Sequence, residues 1–463
     1  MSSVRFTSGA ALAALCCAVV PARAAPDDDW RRAFDELSRR FEEQKARDDA
    51  RIRELEQRLA ERPEPHPNAL QAQIDDLLDR TDALTHDVAA VRATGAGGRT
   101  AYLDIAFNSL LTVGASSAGN GVVGALEGGH HDPHRRGFTV QNTELALSGA
   151  VDPYLKGFAN MVQTIDADGE TVVELEEAYA QTTSLPYGLQ VKAGQYFTEF
   201  GRQNPTHPHQ WEFVNAPVAT TRVFGADGMR GPGARVSWLL PTPFPAELIV
   251  GAQNANGETM AAFVSEEPPF GAVHRRDVRS FRDLAWTARA TASFDVTDET
   301  PLLVGVSGAS GPSGASDARN SSVVGADLTL KWKPLANDRG FPFVAAQAEW
   351  LARDVGYDSF RDGRAFVPAG RLSDAGGYGQ VVWGFTRDWT AGVRYDRVRG
   401  TDDDVLGRDD RGRWSLAVTW YSSEFAKLRL QLQRDDATAL DDAVGSVWLQ
   451  LEFDLGSHGA HKF

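Results

Sequence analysis

SVWLQLEFDLGSHGAHKF, residues 446–463, alternates without a slip through its first ten positions. Val447, Leu449, Leu451, Phe453 and Leu455 are apolar, and Ser446, Trp448, Gln450, Glu452 and Asp454 between them are mostly polar. Successive side chains of a β-strand point to opposite faces, so a period of two predicts a strand with one face in an apolar medium and one in water. A short His/Gly tail follows and ends on an aromatic residue, Phe463.

Upstream of this strand the same period recurs back to about Arg99. It predicts strands at Thr100 to Gly114, Gly137 to Gly149, Tyr154 to Ile165, Val172 to Thr182, Gly188 to Thr198, Ala234 to Leu240, Ala246 to Asn254 and Leu284 to Phe294. Further strands are expected at Leu302 to Gly308, Ser322 to Lys333, Phe343 to Ala352, Tyr378 to Thr386, Trp389 to Val398, Arg413 to Tyr421, Lys427 to Arg434 and Val444 to Leu455, sixteen in all. Trp414, Leu416, Val418 and Trp420 alternate with Arg413, Ser415, Ala417 and Thr419, so a strand is half greasy and half polar. The links also alternate in length, from VDP at Val151 and the Arg387-Asp388 pair to Ala115–Arg136, Glu199–Gly233 and Ala255–Asp283. Short turns at one rim and long loops at the other are the asymmetry of bacterial outer-membrane barrels. An even strand count puts both ends of such a barrel at the short-turn rim.

Composition agrees. The chain has 463 residues, 42% of them hydrophobic and 24% charged. Beyond the first 20 or so residues no apolar run reaches the ~18 residues a helical span needs, and closed barrels are the other spanning solution. Residues 1–25 carry Arg5, the apolar AALAALCCAVV and Ala22-Arg23-Ala24, the pattern of a secretory signal peptide. Cys16 and Cys17, the two cysteines, lie inside it, so the mature chain is expected to lack thiols. The net charge of −16 argues against nucleic acid, which asks for clustered basic surface.

Residues 26–98 read differently. Apolar positions at Trp30, Phe34, Leu37, Phe41, Ile52, Leu55 and Leu59, then Leu70, Ile74, Leu77, Leu84, Val88 and Val91, follow coiled-coil spacing on both sides of a break at Pro63, Pro65 and Pro67. An isolated apolar stripe needs a partner to bury it, so this segment is expected to be an oligomerising neck. Three strands of coil would match a trimer. The expectation is an all-β, 16-stranded antiparallel transmembrane β-barrel over 99–463 with an N-terminal α-helical coiled-coil neck.

The closing amphipathic strand with its terminal aromatic resembles the C-terminal signal of outer-membrane barrel proteins. The whole layout, with VKAGQYFTEFGRQ at 191–203 opening the long third loop, resembles the phosphate-selective porin family of the O and P type. That resemblance implies a trimeric sixteen-stranded porin in the bacterial outer membrane, its neck in the periplasm. It also implies passive and often anion-preferring diffusion of small solutes. The GGHHDPHRRG segment, the NPTHPHQW loop and the HGAHKF tail also resemble barrel proteins described as zinc-regulated, TonB-dependent outer-membrane receptors. Active receptors of that kind have 22 strands around a plug. The chain from Arg99 onward is too short for both, so the likeness implies a metal-linked channel or uptake receptor as the alternative.

The residues themselves offer three sites. Arg235, Arg289, Lys331, Lys333, Arg394, Arg413, Lys427 and Arg429 oppose the apolar face and are candidate pore-lining cations, the lining an anion pore uses. Carboxylates among them, such as Asp327, Glu349, Asp396 and Glu452, offer the alternative that charges of both signs pair across strands. Asn204, His207, His209 and Trp211 lie in a Pro-stiffened loop expected to fold into the lumen as a constriction. His130, His131 and His134, with His207 and His209, are spaced to hold zinc, though hydrogen-bonded loop histidines would look the same. No GxSxG, P-loop or HExxH motif occurs, so no catalytic residue or enzymatic cofactor is expected. A purely structural envelope role is the remaining alternative.

Overall fold

The computed structural model describes residues 103–165, 169–265, 273–274, 276–362 and 365–456, with Arg39, Ala46, Arg47, Ala50 and Arg53 as isolated positions. The expected signal peptide and neck otherwise lie outside the described residues, as do His458, His461 and Phe463 of the tail. The chain divides into two units, and all that follows concerns the second, Gly97–Phe463.

Its strands are β1 (Leu103–Ser116), β2 (Gly137–Asp152), β3 (Leu155–Ile165), β4 (Thr171–Thr182), β5 (Leu189–Phe197), β6 (Arg230–Leu239), β7 (Ala246–Asn254), β8 (Leu284–Thr297) and β9 (Thr300–Pro312). They continue with β10 (Asn320–Trp332), β11 (Phe343–Tyr357), β12 (Phe360–Asp362), β13 (Ala365–Val367), β14 (Gly370–Thr386), β15 (Trp389–Arg399), β16 (Arg411–Ser423), β17 (Ala426–Ala437) and β18 (Val444–Gly456). Sixteen of them form one closed antiparallel barrel, sealed where β1 pairs with β18 from Ala106↔Gly456 to Ser116↔Ser446. Closure leaves no open edge, as the bilayer interior requires of a sheet. The β12–β13 hairpin stands apart and was not expected from the sequence. It sits in the loop before β14.

Every expected strand has its counterpart, and β11 and β14 run well past their expected ends, to Tyr357 and back to Gly370. Their extensions pair Arg353 with Asp374 and Asp354 with Ser373. There the backbone ladder outlasts the apolar alternation, because it needs only hydrogen bonds and not lipid. Turns of a few residues, such as 387–388 and 424–425, sit at one rim, and the long segments 117–136, 198–229 and 255–283 at the other.

The outer face is apolar. Trp414, Leu416, Val418 and Trp420 are exposed on β16 and flank Leu428, Leu430 and Leu432 of β17. Trp389 pairs with Trp420, and Tyr395 with Trp414. The two pairs are six residues apart, about 20 Å along a strand. Trp350 and Trp383 are likewise outward and half exposed. Tyr421 shares the inward phase of Arg413, Ser415 and Thr419. Among the described residues no helix is long and apolar enough to cross a membrane.

Two irregularities interrupt the inner wall. The register between β1 and β2 steps from Leu110↔Asn142 to Leu111↔Val140, leaving Gln141 unpaired. That between β3 and β4 steps from Asn160↔Glu177 to Met161↔Leu175, leaving Glu176 unpaired. Each is a β-bulge, an extra residue that locally breaks the alternation. Consecutive residues therefore both turn inward: Gln141 with Asn142, and Glu176 with Glu177, all buried.

Candidate functional site

Two loops fold into the barrel. The first, 117–136, carries helix α1 (Asn120–Leu126) and packs Val123 against Val214 and the inward Trp448. Glu127 at its end accepts from Arg413 at 3.0 Å and Gln433 at 2.5 Å, and Arg411 and Arg413 both donate to the Leu126 carbonyl. The second, 198–229, is the expected constriction loop and carries helix α2 (Val218–Phe224).

This loop touches much of the wall. Gly201 donates to Ser307 on β9, and Gln203 to Glu349 on β11. Gly201 holds φ at +63°, and a Cβ there would collide with the Glu349 carboxylate, so the close approach requires glycine. Asn204 ties the two ends of the loop together, its amide donating to the Thr198 and Met229 carbonyls at 2.8 and 2.9 Å. From β17 Arg429 donates to the Trp211 carbonyl at 2.7 Å and Gln431 accepts from Val214 at 2.8 Å, and on β15 Asp396 accepts from Val218 at 3.0 Å. Trp211 itself closes a local turn by donating to the Thr206 carbonyl. Arg353 then caps α2 through the Val223 carbonyl. Phe200, Val223 and Phe224 bury themselves in an apolar cluster with Met229, Met260 and Leu351.

Between these anchors lies a histidine–carboxylate cluster on the bulged wall. His207 places Nε2 2.9 Å from Glu177 and Nδ1 3.0 Å from Glu176. His209 places Nδ1 3.0 Å from Glu144. His131, from the first loop, lies 3.3 Å from Glu176, and so does Arg230. Asn160 donates to Glu176 at 2.8 Å. Burial alone would favour the neutral ring of His207, but Glu176, Glu177 and Glu144 outweigh it and hold its pKa well above the ordinary histidine value. His207 is thus an imidazolium, both nitrogens donating to carboxylates. It fastens the loop to β4 as a bidentate cation would.

Around the same wall His130 lies 2.7 Å from Asp227 and contacts Thr164 through its other nitrogen at 3.1 Å. Its hydrogen bond to Asp227 raises its pKa. His134 reaches only the His130 carbonyl, at 3.3 Å. Of the five histidines expected to hold zinc, His131, His207 and His209 thus gather on the β2 and β4 glutamates. Of those five, His130 joins a set with metal-like spacing, with Glu174 and Asp227, ligand atoms within 4.8 Å of one another; a second such set, His274, Asp317 and Asp358, involves none of them. Arg230 already pairs with Glu174 there.

The eight expected pore-lining cations all lie on the inward phase or its continuation, and five carry carboxylate partners. Arg289 binds Asp327 through two bonds of 2.6 and 2.9 Å, and Arg235 reaches Glu199 at 3.0 Å. Arg394 pairs with Asp396, Arg413 with Asp435 and Glu127, and Lys427 with Glu452. Arg429 is held by Gln450 at 2.7 Å and by loop carbonyls. Lys331 lies 5.3 Å from the centre of the Phe343 ring, and Lys333 follows β10 into its turn. Pairing compensates the field of the cations at those five positions, so they do not act as a bare basic ring.

Sequence reasoning missed Glu127, Glu174, Glu176 and Asp227. The one signal available was the broken phase at Glu144 and Glu177, which a bulge explains.

No family model matches the chain. It is 32% identical over 364 residues, 73% of each chain, to an uncharacterised protein of Aquifex aeolicus (strain VF5). Among solved structures it is similar to OprB of Pseudomonas putida, with a TM-score of 0.49 and 12% identity over 81% of this chain and 97% of that one. It is also similar to the outer-membrane channel DcaP of Acinetobacter baumannii, at 0.49 and 12% over 78% and 99%. The anion-selective porin of Comamonas acidovorans aligns at 0.47 and 9% over 77% and 100%.

Proposed function

The chain belongs to one family with the Aquifex aeolicus protein, and we propose that it forms a passive outer-membrane channel for small hydrophilic solutes. The observation that carries this reading is the long segment 198–229, folded inside a sixteen-stranded barrel and bonded to strands seven apart in its order, through His207 to Glu177 of β4 and through Gln203 to Glu349 of β11. A loop held in the lumen of a water-filled barrel sets its cross-section, and the polar side chains beside it set what passes. Residues 205–207 and 209–212 of that loop, with Lys331, are only part-buried and form the wetter portion of the interior, while Lys333 is exposed in the turn after β10. Because five of the eight expected inward cations pair with carboxylates, the anion preference implied by the porin resemblance does not follow from the number of inward cations.

The reading includes a homotrimer with its neck in the periplasm, supported by the heptad spacing of residues 26–98. Proteoliposomes holding the refolded full-length chain should swell in isotonic sugars of monosaccharide size and not in larger ones. Impermeability to every sugar and ion would overturn the reading. A zinc-linked role is favoured only by the spacing of His130, Glu174 and Asp227. It requires zinc to displace Arg230 from Glu174. Zinc binding that survives His130→Ala would remove that support.

A further inference from the structure

On the outer face of the barrel one row of residues crosses four strands: Val324 beside Ala352, Ala352 beside Ala375, and Ala375 beside Arg399. The next row toward the short-turn rim runs from Trp350 through Gly377 to Arg397. Two alanines set between a valine and a tryptophan leave a groove of about 220 Å³, and Ser322, Asp354 and Ser373 lie along its upper edge. The groove opens away from the lumen, since Val324, Trp350 and Arg399 are exposed on the outward phase.

Its height places it at the edge of the membrane. Arg399 follows Trp389 on β15 by ten residues, about 33 Å along the strand. At the ~40° tilt of barrel strands this is about 25 Å of height, the span of the apolar band. Trp389 stands at the short-turn rim, so Arg399 stands where the band ends toward the long loops. That rim faces out of the cell in outer-membrane barrels. The leaflet on that side is built of phosphorylated glycolipid.

The outward arginines at this level are not alike. Arg371 pairs with Asp354, Arg397 with Asp410 at 3.2 Å, and Arg434 with Asp436 at 3.9 Å. Asp354 also accepts from Ser373 at 3.1 Å, so the one carboxylate beside the groove is already compensated. Arg399 has no carboxylate partner among the described residues. A guanidinium at headgroup depth binds phosphate through two parallel hydrogen bonds, while its stem lies along apolar surface. An apolar trough, serine hydroxyls on its upper edge and an uncommitted guanidinium at its end match an acyl chain, sugar hydroxyls and a phosphate.

We propose that this groove binds a phosphorylated glucosamine lipid of the outer leaflet, of the lipid A class. A phosphate sits on Arg399, and the first methylenes of one acyl chain lie over Ala352 and Ala375. The volume suits that share of a lipid, because 220 Å³ is roughly seven times the share of one water, room for a short length of chain and not for a folded partner. The site needs the barrel in the outer membrane and goes beyond the channel reading, since nothing in it depends on conduction.

The test uses the full-length refolded protein in detergent. Binding of bis-phosphoryl lipid A is followed by native mass spectrometry and by titration. Lipid A stripped of both phosphates and phosphatidylglycerol serve as comparators. One retained bis-phosphoryl lipid A per protomer is expected, bound roughly tenfold or more tightly than either comparator. Arg399→Gln should weaken it about tenfold, and Ala375→Phe, which fills the groove, by a similar factor. Arg434→Gln, also outward but two strands away, should leave it unchanged. Equal binding of the phosphate-free lipid would take Arg399 out of the site, and equal binding of phosphatidylglycerol would take the sugar out; either overturns the proposal. Binding to dissociated monomers but not to the native oligomer would give the groove to a second copy of the chain and overturn it as well. These comparisons need only wild type, so a misfolded variant does not shelter the idea. A chain that binds the lipid but never conducts keeps the groove and loses the channel. One that conducts without binding the lipid does the reverse.

Discussion

The two sides of the barrel interior are built by different rules. On β14 to β18 the alternation never slips inside the lumen, and inward charges meet partners in register or two residues along a strand: Arg413 on Asp435, Arg394 on Asp396, Lys427 on Glu452. On β1 to β5 two bulges break it, and the residues they turn inward, Gln141 and Glu176, hold loops as well as side chains of neighbouring strands. Gln141 donates to the His131 and Val214 carbonyls, and Glu176 meets His131, His207 and Arg230. The difference teaches that strict periodicity builds wall, while its interruptions build site. An extra residue points two neighbouring side chains the same way, which a two-residue period cannot do.

The largest effect that could break this comparison lies on the regular side. Arg413→Leu leaves Asp435 and Glu127 buried without their shared cation, and should cost about 3–5 kcal/mol. A lowered urea midpoint for the folded, heat-modifiable band on gels would register it. A near-neutral result would mean that the regular wall does not depend on its ion pairs.

Next comes removal of Glu176 itself. Without the extra residue β4 can pair continuously with β3, so the barrel should still assemble, while His131, His207 and Arg230 lose their common carboxylate. Folding yield close to wild type together with faster proteolysis within 198–229 is expected, at a local cost of about 1–3 kcal/mol. Failure to assemble would show the bulge to be part of the wall after all.

The alkaline limb follows from His207. Its folded pKa is raised, so the contribution of the imidazolium is fully present below the unfolded value near 6.5 and is lost as pH rises through the raised folded value. Protease sensitivity of the loop should climb only at alkaline pH, and His207→Phe should flatten that rise. The smallest effect is expected on the acid side, in the first loop. Burial, with Glu127 nearby, pushes the Asp132 carboxyl up to about 6. Its contribution is therefore complete below the unfolded value near 3.8 and fades as pH rises through about 6. Cleavage within 117–136 should increase a few-fold over that window in wild type and stay level in Asp132→Asn.

What could be read from the chain divides along the same line. The sixteen strands, their order and the rim asymmetry were visible because lipid on one face and water on the other impose alternation on each of them. His131, His207 and His209 could be flagged by residue type, and their loop by its prolines. Their carboxylate partners could not be. Glu144, Glu176 and Glu177 come from strands separated in sequence, and only the bulges bring their side chains into one cluster. That inward charges of both signs could pair was legible from Asp327, Asp396 and Glu452 among the cations, but which meets which depends on cross-strand register, which alternation alone leaves open.

The most direct measurement is single-channel conductance in planar bilayers of the wild type beside His207→Phe/His209→Phe. If the loop sets the aperture and the bulged wall holds the loop, wild type gives discrete steps and the double variant gives larger ones in the same salt. Identical steps from the two proteins would contradict the role of the bulged wall, and silence from both would contradict the channel.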